Sequence, residues 1–243
     1  NGIDYDQKFD TQTIVEKVNN YLDGNKKLSN LPNKFKVSIN ACHTNCINHH
    51  EQDIHFSAVK LSSTKILFDV YIMGENNTKE KIQTNIGQVT PSQILNVVKA
   101  LCILFRDHGD RTNRSNANLG NILQTWGKEK FLENLHKEIN FKLKASKSYE
   151  KIAFSHNEHL GVHESTLRAK SYIGCHINEG EVNLIGLKNL LNILKEFDAN
   201  TIKLTSNQNI VIVDAPSSKA QEMYTRIKEL KLHSHPVSPK EKI

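Results

Sequence analysis

The hydrophobic positions recur at helical spacing near the start of the chain and then alternate as they do in strands. The first stripe predicts a helix that Asp10 or Thr11 caps and that ends near Gly24. Its apolar positions are Ile14, Val15, Val18, Tyr21 and Leu22. Alternating residues then predict three strands, at residues 35–39, 54–56 and 66–72. The third of these strands has the clearest alternation.

A longer helix is predicted after Thr90. Thr90 and Gln93 have the spacing of a capping box, and Pro91 occupies the first helical position. The apolar residues of this helix continue to about Asp107, and Gly109 ends it. Two shorter helices are predicted after it, at residues 116–124 and 128–139.

The second half of the chain predicts a separate domain. Residues 142–151 are polar and lack periodicity, so we place a boundary there, between domains of residues 1–145 and 146–243. The later elements are predicted as strands at 172–177, 182–185, 201–205 and 210–213, and as helices at 187–197 and 216–230. This ββαββα order predicts an α+β fold, with helices on one face of a mostly antiparallel sheet. The tail after residue 234 is predicted to fray.

The composition narrows the class of protein. With 243 residues, 37% of them hydrophobic and 24% charged, the chain is neither low-complexity nor wholly disordered. No apolar run reaches the roughly 18 residues of a transmembrane helix, and the first residues do not predict a signal peptide. Four cysteines are too few for a disulfide scaffold, which favours a reduced, cytoplasmic setting.

The net charge of +6 favours an anionic partner. Because the lysines and arginines are scattered along the chain, a nucleic acid is the least favoured anion, and no membrane partner is expected. Lys34 and Lys36 are a candidate anion clamp, since alternate side chains of a strand leave the same face about 7 Å apart. Phe35 would then enter the core between them. The alternative is a solvent-facing strand edge that carries protective lysines.

Cysteines and histidines between residues 42 and 55 raise the question of a metal site. Cys42 and Cys46 are followed by three histidines, which are His49, His50 and His55. A metal site needs about four ligands at set distances, and no second, distant ligand pair accompanies this one. Cys102 and Cys175 lie within apolar patterns and are predicted to be buried. We therefore predict no metal ligands in this chain.

Two further polar segments could contact a ligand. The segment 106–114 contains three arginines and two aspartates, which form either a clamp for carboxylates or a self-paired network between helices. The segment 203–209 is an amide-rich turn between two apolar strands. It could line a ligand, or it could be an ordinary hairpin connection.

Taken in order, these motifs resemble the siroheme-containing nitrite and sulfite reductase family over nearly the whole chain. The matching segments are Leu31–Lys36, Gln52–Ile54, Arg106–Arg114, Trp126–Phe131, Gly161–His163, Tyr172–Gly180 and Leu204–Asn209. The resemblance implies a nitrite/sulfite reductase-like α+β domain without a cluster, followed by a ferredoxin-like half domain. It also implies a central part of a longer enzyme, whose activity needs the remaining segments of the same protein.

The resemblance implies roles for named residues. Lys34 and Lys36 would hold the oxyanion over siroheme and help to deliver protons. The contacts to siroheme would come from Arg111, Arg114, Asn118, Gln208 and Asn209. The ligands of the [4Fe-4S] cluster are expected outside this chain. The electron donor would be a ferredoxin or a flavoprotein.

Sulfite is the favoured substrate, because the family's nitrite reductases usually have Asn where this chain has Lys36. Nitrite stays the alternative, as does a non-catalytic protein of the same fold. This last alternative depends on Asn33 and Asn118, which stand where the family usually has cations.

Overall fold

The computed structural model describes residues 2–42, 46–60, 62, 65–75, 80–146 and 159–230. The described residues from 8 to 146 form one compact unit. Residues 2–7 pack with residues 159–230 as a second unit. Each unit has an α+β architecture with a four-stranded sheet of its own. The fold class predicted from the sequence is therefore confirmed.

The sheet of the first unit has the strand order β1-β2-β3-β4. Its strands are β1 (Val37–Asn40), β2 (Ile54–Lys60), β3 (Ile66–Glu75) and β4 (Lys81–Val89). β1 runs parallel to β2, with Val37 opposite Ile54, and the other two pairs are antiparallel. The three strands predicted for this unit are confirmed.

Four helices of the first unit lie among the described residues. They are α1 (Gln12–Leu22), α2 (Ile94–His108), α3 (Leu119–Trp126) and α4 (Lys128–Glu138). A short 3₁₀ helix at Pro91–Gln93 precedes α2, and Thr90 and Gln93 form the predicted capping box. In the part of the chain that the structure describes, no helix is both long and apolar enough to cross a bilayer.

The core of the first unit joins α2 to the sheet. Its members from the sheet and α2 include Phe56, Phe68, Val70, Ile72, Ile94, Val97, Val98, Leu101 and Phe105. Burial of one such side chain stabilises a fold by about 1.5–3 kcal/mol. The apolar stripe of α2 therefore fixes the helix on the sheet.

β4 was not predicted from the sequence, because its buried residues do not alternate. Gln88 is buried, and its Nε2 donates to Asp69 Oδ1 at 2.9 Å, so a polar pair occupies positions where a strand pattern would have apolar residues. The pairing register also shifts between Val70 and Tyr71. A shifted register moves residues from one face of a sheet to the other, which breaks the period of two.

The sheet of the second unit has the order β5-β6-β8-β7, and its pairs are all antiparallel. Its strands are β5 (Gly161–Glu164), β6 (Lys170–Cys175), β7 (Ile202–Leu204) and β8 (Ile210–Pro216). Its helices are α5 (Leu184–Glu196) and α6 (Ala220–Glu229). The core includes Ile173, Leu190, Phe197, Ile212 and Met223.

The predicted ββαββα order is observed, although one strand in it was wrong. The segment 182–185 is not a strand, because Leu184 and Ile185 begin α5. Asn183 caps that helix by accepting the N–H of Gly186 at 2.7 Å. The first strand is instead β5, whose four residues include a single large apolar side chain and so carry little alternation.

Residues 2–7 pair with the second unit through its first strand. The N–H of Tyr5 donates to the carbonyl of Glu164 at 3.2 Å, and the Tyr172 hydroxyl donates to Asp4 Oδ2 at 3.2 Å. Residues 2–7, which the prediction placed in the first domain, thus pack with the second unit. The boundary near 145 stays a prediction, since residues 147–158 and the tail after 230 lie outside the described residues.

A close approach of α3 and β3 gives a stability prediction. A Cβ atom on Gly120 would lie 3.1 Å from Gly74 Cα, from Ile82 Cδ1 and from the carbonyl oxygen of Met73. We expect Gly120→Ala to lower the free energy of unfolding by about 1–3 kcal/mol, because overpacking forces backbone shifts. Chemical denaturation measures the change. The control Gln124→Ala, at an exposed position of the same helix, should stay within about 0.5 kcal/mol of the wild type.

Candidate functional site

Lys34 and Lys36 lie directly before β1, in a segment without regular secondary structure. Both are exposed, whereas Phe35 packs on the core with its ring 5.7 Å from that of Phe105. The alternation predicted for this segment is therefore observed, although regular strand pairing begins at Val37. Within the described residues, neither ammonium group has a hydrogen-bond or ion-pair partner. Two exposed cations thus flank one partly buried residue.

The backbone of Lys36 is held by the start of β2. Its N–H donates to Asp53 Oδ2 at 2.8 Å. Its carbonyl accepts from the N–H groups of Asp53 at 2.9 Å and Ile54 at 3.2 Å. The half-buried Asp53 therefore contacts both backbone polar groups of Lys36. This contact of Asp53 was not predicted from the sequence.

Asn33 and Asn30 join the lysine segment to the turn region after α2. Asn33 Nδ2 donates to the carbonyl of Ala117 at 3.4 Å, and Asn33 Oδ1 accepts the N–H of Lys34 at 2.9 Å. Arg111 donates to the side chain of Asn30 at 3.0 Å and to its carbonyl at 2.8 Å. The structure therefore places the predicted residues of segments 34–36 and 111–118 side by side in one unit.

Most polar contacts of segment 106–114 are local, and they include one ion pair. Arg106 binds Asp107 in a bidentate pair, at 2.7 and 2.9 Å, and this contact holds the pKa of Asp107 below its usual value. Asp110 accepts from the hydroxyl and N–H of Thr112 and from the N–H of Asn113, which lowers its pKa. Among the described residues these contacts do not join two helices, so neither alternative for this segment is decided by them.

Arg114 and Asn118 differ in the hydrogen bonds that their side chains make within the chain. Arg114 is exposed, and its guanidinium has no partner within the described residues. Asn118 caps α3, because its Oδ1 accepts the N–H of Asn121 at 2.9 Å and its Nδ2 donates to Ser115 at 3.1 Å. Asn118 therefore has a local structural function, whereas Arg114 is available to an anion.

Gln208 and Asn209 belong to the second unit. Asn209 is buried, and its Oδ1 accepts the N–H of Ile177 at 3.0 Å, so its amide stabilises the hairpin. Gln208 has a φ of 62°, in the left-handed region, and its side chain is exposed beside Gly180. The turn is thus ordered by its own residues, and the end group of Gln208 remains accessible.

The four cysteines are free thiols. A hydrogen bond with Cys42, followed by burial, raises the pKa of the Cys46 thiol above its usual value. Burial raises the pKa of Cys102 and of Cys175 to about 12. A [4Fe-4S] cluster needs four thiolates, whereas the described residues of the first unit contain two neighbouring thiols and one buried in α2. These donors do not fit a cluster.

Three histidine rings pack against one another beside β2. The centroids of His49 and His50 are 4.1 Å apart, and those of His49 and His55 are 5.4 Å apart. Ser38 Oγ lies 2.7 Å from His55 Nδ1. Burial, reinforced by the two neighbouring histidines, lowers the pKa of His55 to about 3. The His55 ring is therefore neutral at physiological pH.

Comparison with known proteins agrees with the fold. The chain is an α+β protein with a candidate site for an anion. It belongs to the nitrite/sulfite reductase family. Residues 1–143 match the model "Nitrite and sulphite reductase 4Fe-4S domain", and residues 167–230 match "Nitrite/Sulfite reductase ferredoxin-like half domain".

Relatives with both activities resemble the chain. It is 24% identical to a ferredoxin–nitrite reductase of Synechococcus elongatus, over 90% of this chain and 44% of the relative. It is 25% identical to sulfite reductase [ferredoxin] 1 of Mycolicibacterium paratuberculosis, over 98% of this chain and 42% of the relative. The solved structure of the Mycobacterium tuberculosis NirA protein matches with a TM-score of 0.82 and 24% identity, over 97% and 43% of the two chains. The chain thus spans less than half the length of these relatives.

The buried histidine predicts how stability depends on pH. The folded state disfavours protonation of His55, whose pKa is about 3 against 6.5 in the unfolded chain, so its contribution to stability is lost as the pH falls from 6.5 towards 3. Asp53 acts in the opposite direction: burial raises its pKa to about 6, so its contribution is lost as the pH rises from about 4 to 6.

Comparison with His55→Gln isolates the histidine from this opposing effect. Between pH 6.5 and 4 the free energy of unfolding of the wild type should fall relative to that of the variant, by about 1 kcal/mol per pH unit. Urea denaturation at each pH measures this difference. The exposed His108→Gln variant serves as the control. Equal slopes for the wild type and His55→Gln would contradict the interpretation.

Proposed function

We propose that the chain supplies an anion-binding part of a siroheme-dependent reductase that converts sulfite to sulfide. The observation that carries the proposal is the pair of exposed residues Lys34 and Lys36 on either side of Phe35, which packs on Phe105. Fixed cations stabilise the negative charge of a bound oxyanion and of the more basic species formed as it is reduced. Membership of the family supports this assignment.

The charge of the substrate favours sulfite at this site. The attraction between two charges scales with their product, so a dianion gains roughly twice the stabilisation of a monoanion from the same two lysines. Sulfite takes up six electrons and six protons to give sulfide and three water molecules. Each ammonium group donates hydrogen bonds to the oxyanion and can pass on a proton, which solvent then replaces.

The residues that face solvent fit a polycarboxylate cofactor. Siroheme carries eight carboxylates, and when bound it supplies the iron centre that transfers the electrons. Arg114 and Gln208 have exposed end groups without a hydrogen-bond partner in the described residues. We propose Arg114 as the strongest contact in the first unit, because its whole guanidinium is available, whereas Asn118 and Asn209 already bond within the chain.

Nitrite reduction is the second candidate, because relatives named as nitrite reductases match this chain as well as sulfite reductases do. In that reaction nitrite takes up six electrons and eight protons, and gives ammonium and two water molecules. The names of the relatives include ferredoxin and NADPH, which supports a ferredoxin or a flavoprotein as the electron donor.

Absorption spectroscopy tests the cofactor. The protein expressed from its complete reading frame, in a host that makes siroheme, should show the bands of siroheme. A double variant, Lys34→Met with Lys36→Met, should keep these bands and lose turnover, because the lysines act on the substrate. A colourless, iron-free wild-type protein would refute the enzymatic proposal and would favour a non-catalytic member of the family.

Steady-state kinetics test the substrate. Lys36→Asn should lower kcat/KM for sulfite by about tenfold or more, and should lower it less for nitrite. The reason is that a monoanion such as nitrite loses less electrostatic attraction than a dianion when one lysine is removed. Lys17→Asn, which removes an exposed lysine from α1, is the matched control and should change neither value. Equal reductions of kcat/KM for sulfite and for nitrite would contradict the inference that substrate charge favours sulfite.

A further inference from the structure

We infer that Asp53 is the positioning residue of Lys36: its carboxylate fixes the backbone of that lysine and thereby directs the ammonium group towards the bound anion. The inference rests on the proposed function for the role of Lys36. It assigns to Asp53 a role that follows from contacts within the first unit alone.

The geometry is that of a clamp on one residue. Asp53 Oδ2 accepts the N–H of Lys36 at 2.8 Å, and the N–H of Asp53 donates to the carbonyl of Lys36 at 2.9 Å. Asp53 is itself fixed, since its carbonyl accepts the N–H of Met73 on β3 at 2.9 Å. Because both peptide groups that flank Cα of Lys36 are held, the direction of its Cα–Cβ bond is set by the sheet.

The hydrogen bond from the Lys36 N–H to Asp53 Oδ2 replaces one that regular strand pairing would otherwise provide. Strand β1 begins only at Val37, so the N–H of Lys36 lies beyond the ladder and needs another acceptor. A carboxylate acceptor makes a shorter and stronger bond than a neutral one. Asp53 therefore fixes the backbone of Lys36, one residue before the strand begins.

The carboxylate also couples this order to pH. Burial raises the pKa of Asp53 to about 6, against the opposing effects of the Lys36 N–H and the Lys36 ammonium. The Cys102 thiol faces Asp53 from α2, and the His55 side chain lies two residues further along β2. Protonation of Asp53 below about pH 6 removes the charge from the acceptor and weakens the bond to Lys36.

Two-dimensional NMR of the 243-residue chain tests the coupling without any cofactor. The amide signal of Lys36 should shift with pH, with an apparent pKa near 6, and the shift should be absent in Asp53→Asn. In Asp53→Ala, hydrogen exchange of the Lys36 amide should accelerate by roughly tenfold, as expected for the loss of one charge-assisted bond. Asp69→Asn, which changes another carboxylate of the same sheet, should leave both readouts as in the wild type.

Kinetics of the protein expressed from the complete reading frame test the consequence. Asp53→Ala should raise KM for sulfite about tenfold, and Asp53→Asn should recover most of this loss, because an amide oxygen still accepts the bond. Unchanged exchange of the Lys36 amide in Asp53→Ala, or failure of Asn to rescue KM, would overturn the inference. A protein that lacks siroheme would instead refute the proposed function, while the NMR result would still decide whether Asp53 holds Lys36.

Discussion

Phe35 is partly buried against Phe105, and this contact leaves a lysine exposed on either side of it. In an extended segment, residues on either side of a core residue must leave the opposite face. Burial of a phenylalanine is worth about 1.5–3 kcal/mol, far more than two exposed lysines lose by their mutual repulsion in water. The cation pair is thus a by-product of core packing. Its position does not require any favourable interaction of the lysines themselves.

The surroundings of the lysines show how uncharged residues have taken over structural work. Asn33 links the lysine segment to residue 117, and Asn118 caps α3. The side-chain amides of Asn33 and Asn118 are short and make their hydrogen bonds within the chain, whereas a lysine or arginine side chain would extend towards solvent. These bonds tie the backbone of the lysine segment to its neighbours in the first unit.

The sequence was most informative where one face of an element is uniformly apolar. α2 and β3 were predicted with nearly their observed bounds for this reason. β4 was missed because buried polar residues and a register shift disguise it, and β5 because it is too short to alternate. The lysine pair could be predicted from the alternation around Phe35. The role of Asp53 could not, because it depends on the parallel register of β1 and β2, which no local pattern encodes.

Two titratable side chains at and just before the start of β2, Asp53 and His55, have pKa values that folding shifts in opposite directions. Asp53 binds its proton more tightly in the folded state, and His55 binds its proton less tightly. Between about pH 4 and 6 the two effects on stability oppose each other, so acidification weakens the fold less than the buried histidine alone would. The contact with Lys36 has no such compensation, because it depends on Asp53 only. This strand can therefore stay folded over a pH range in which the proposed positioning of Lys36 is already changing.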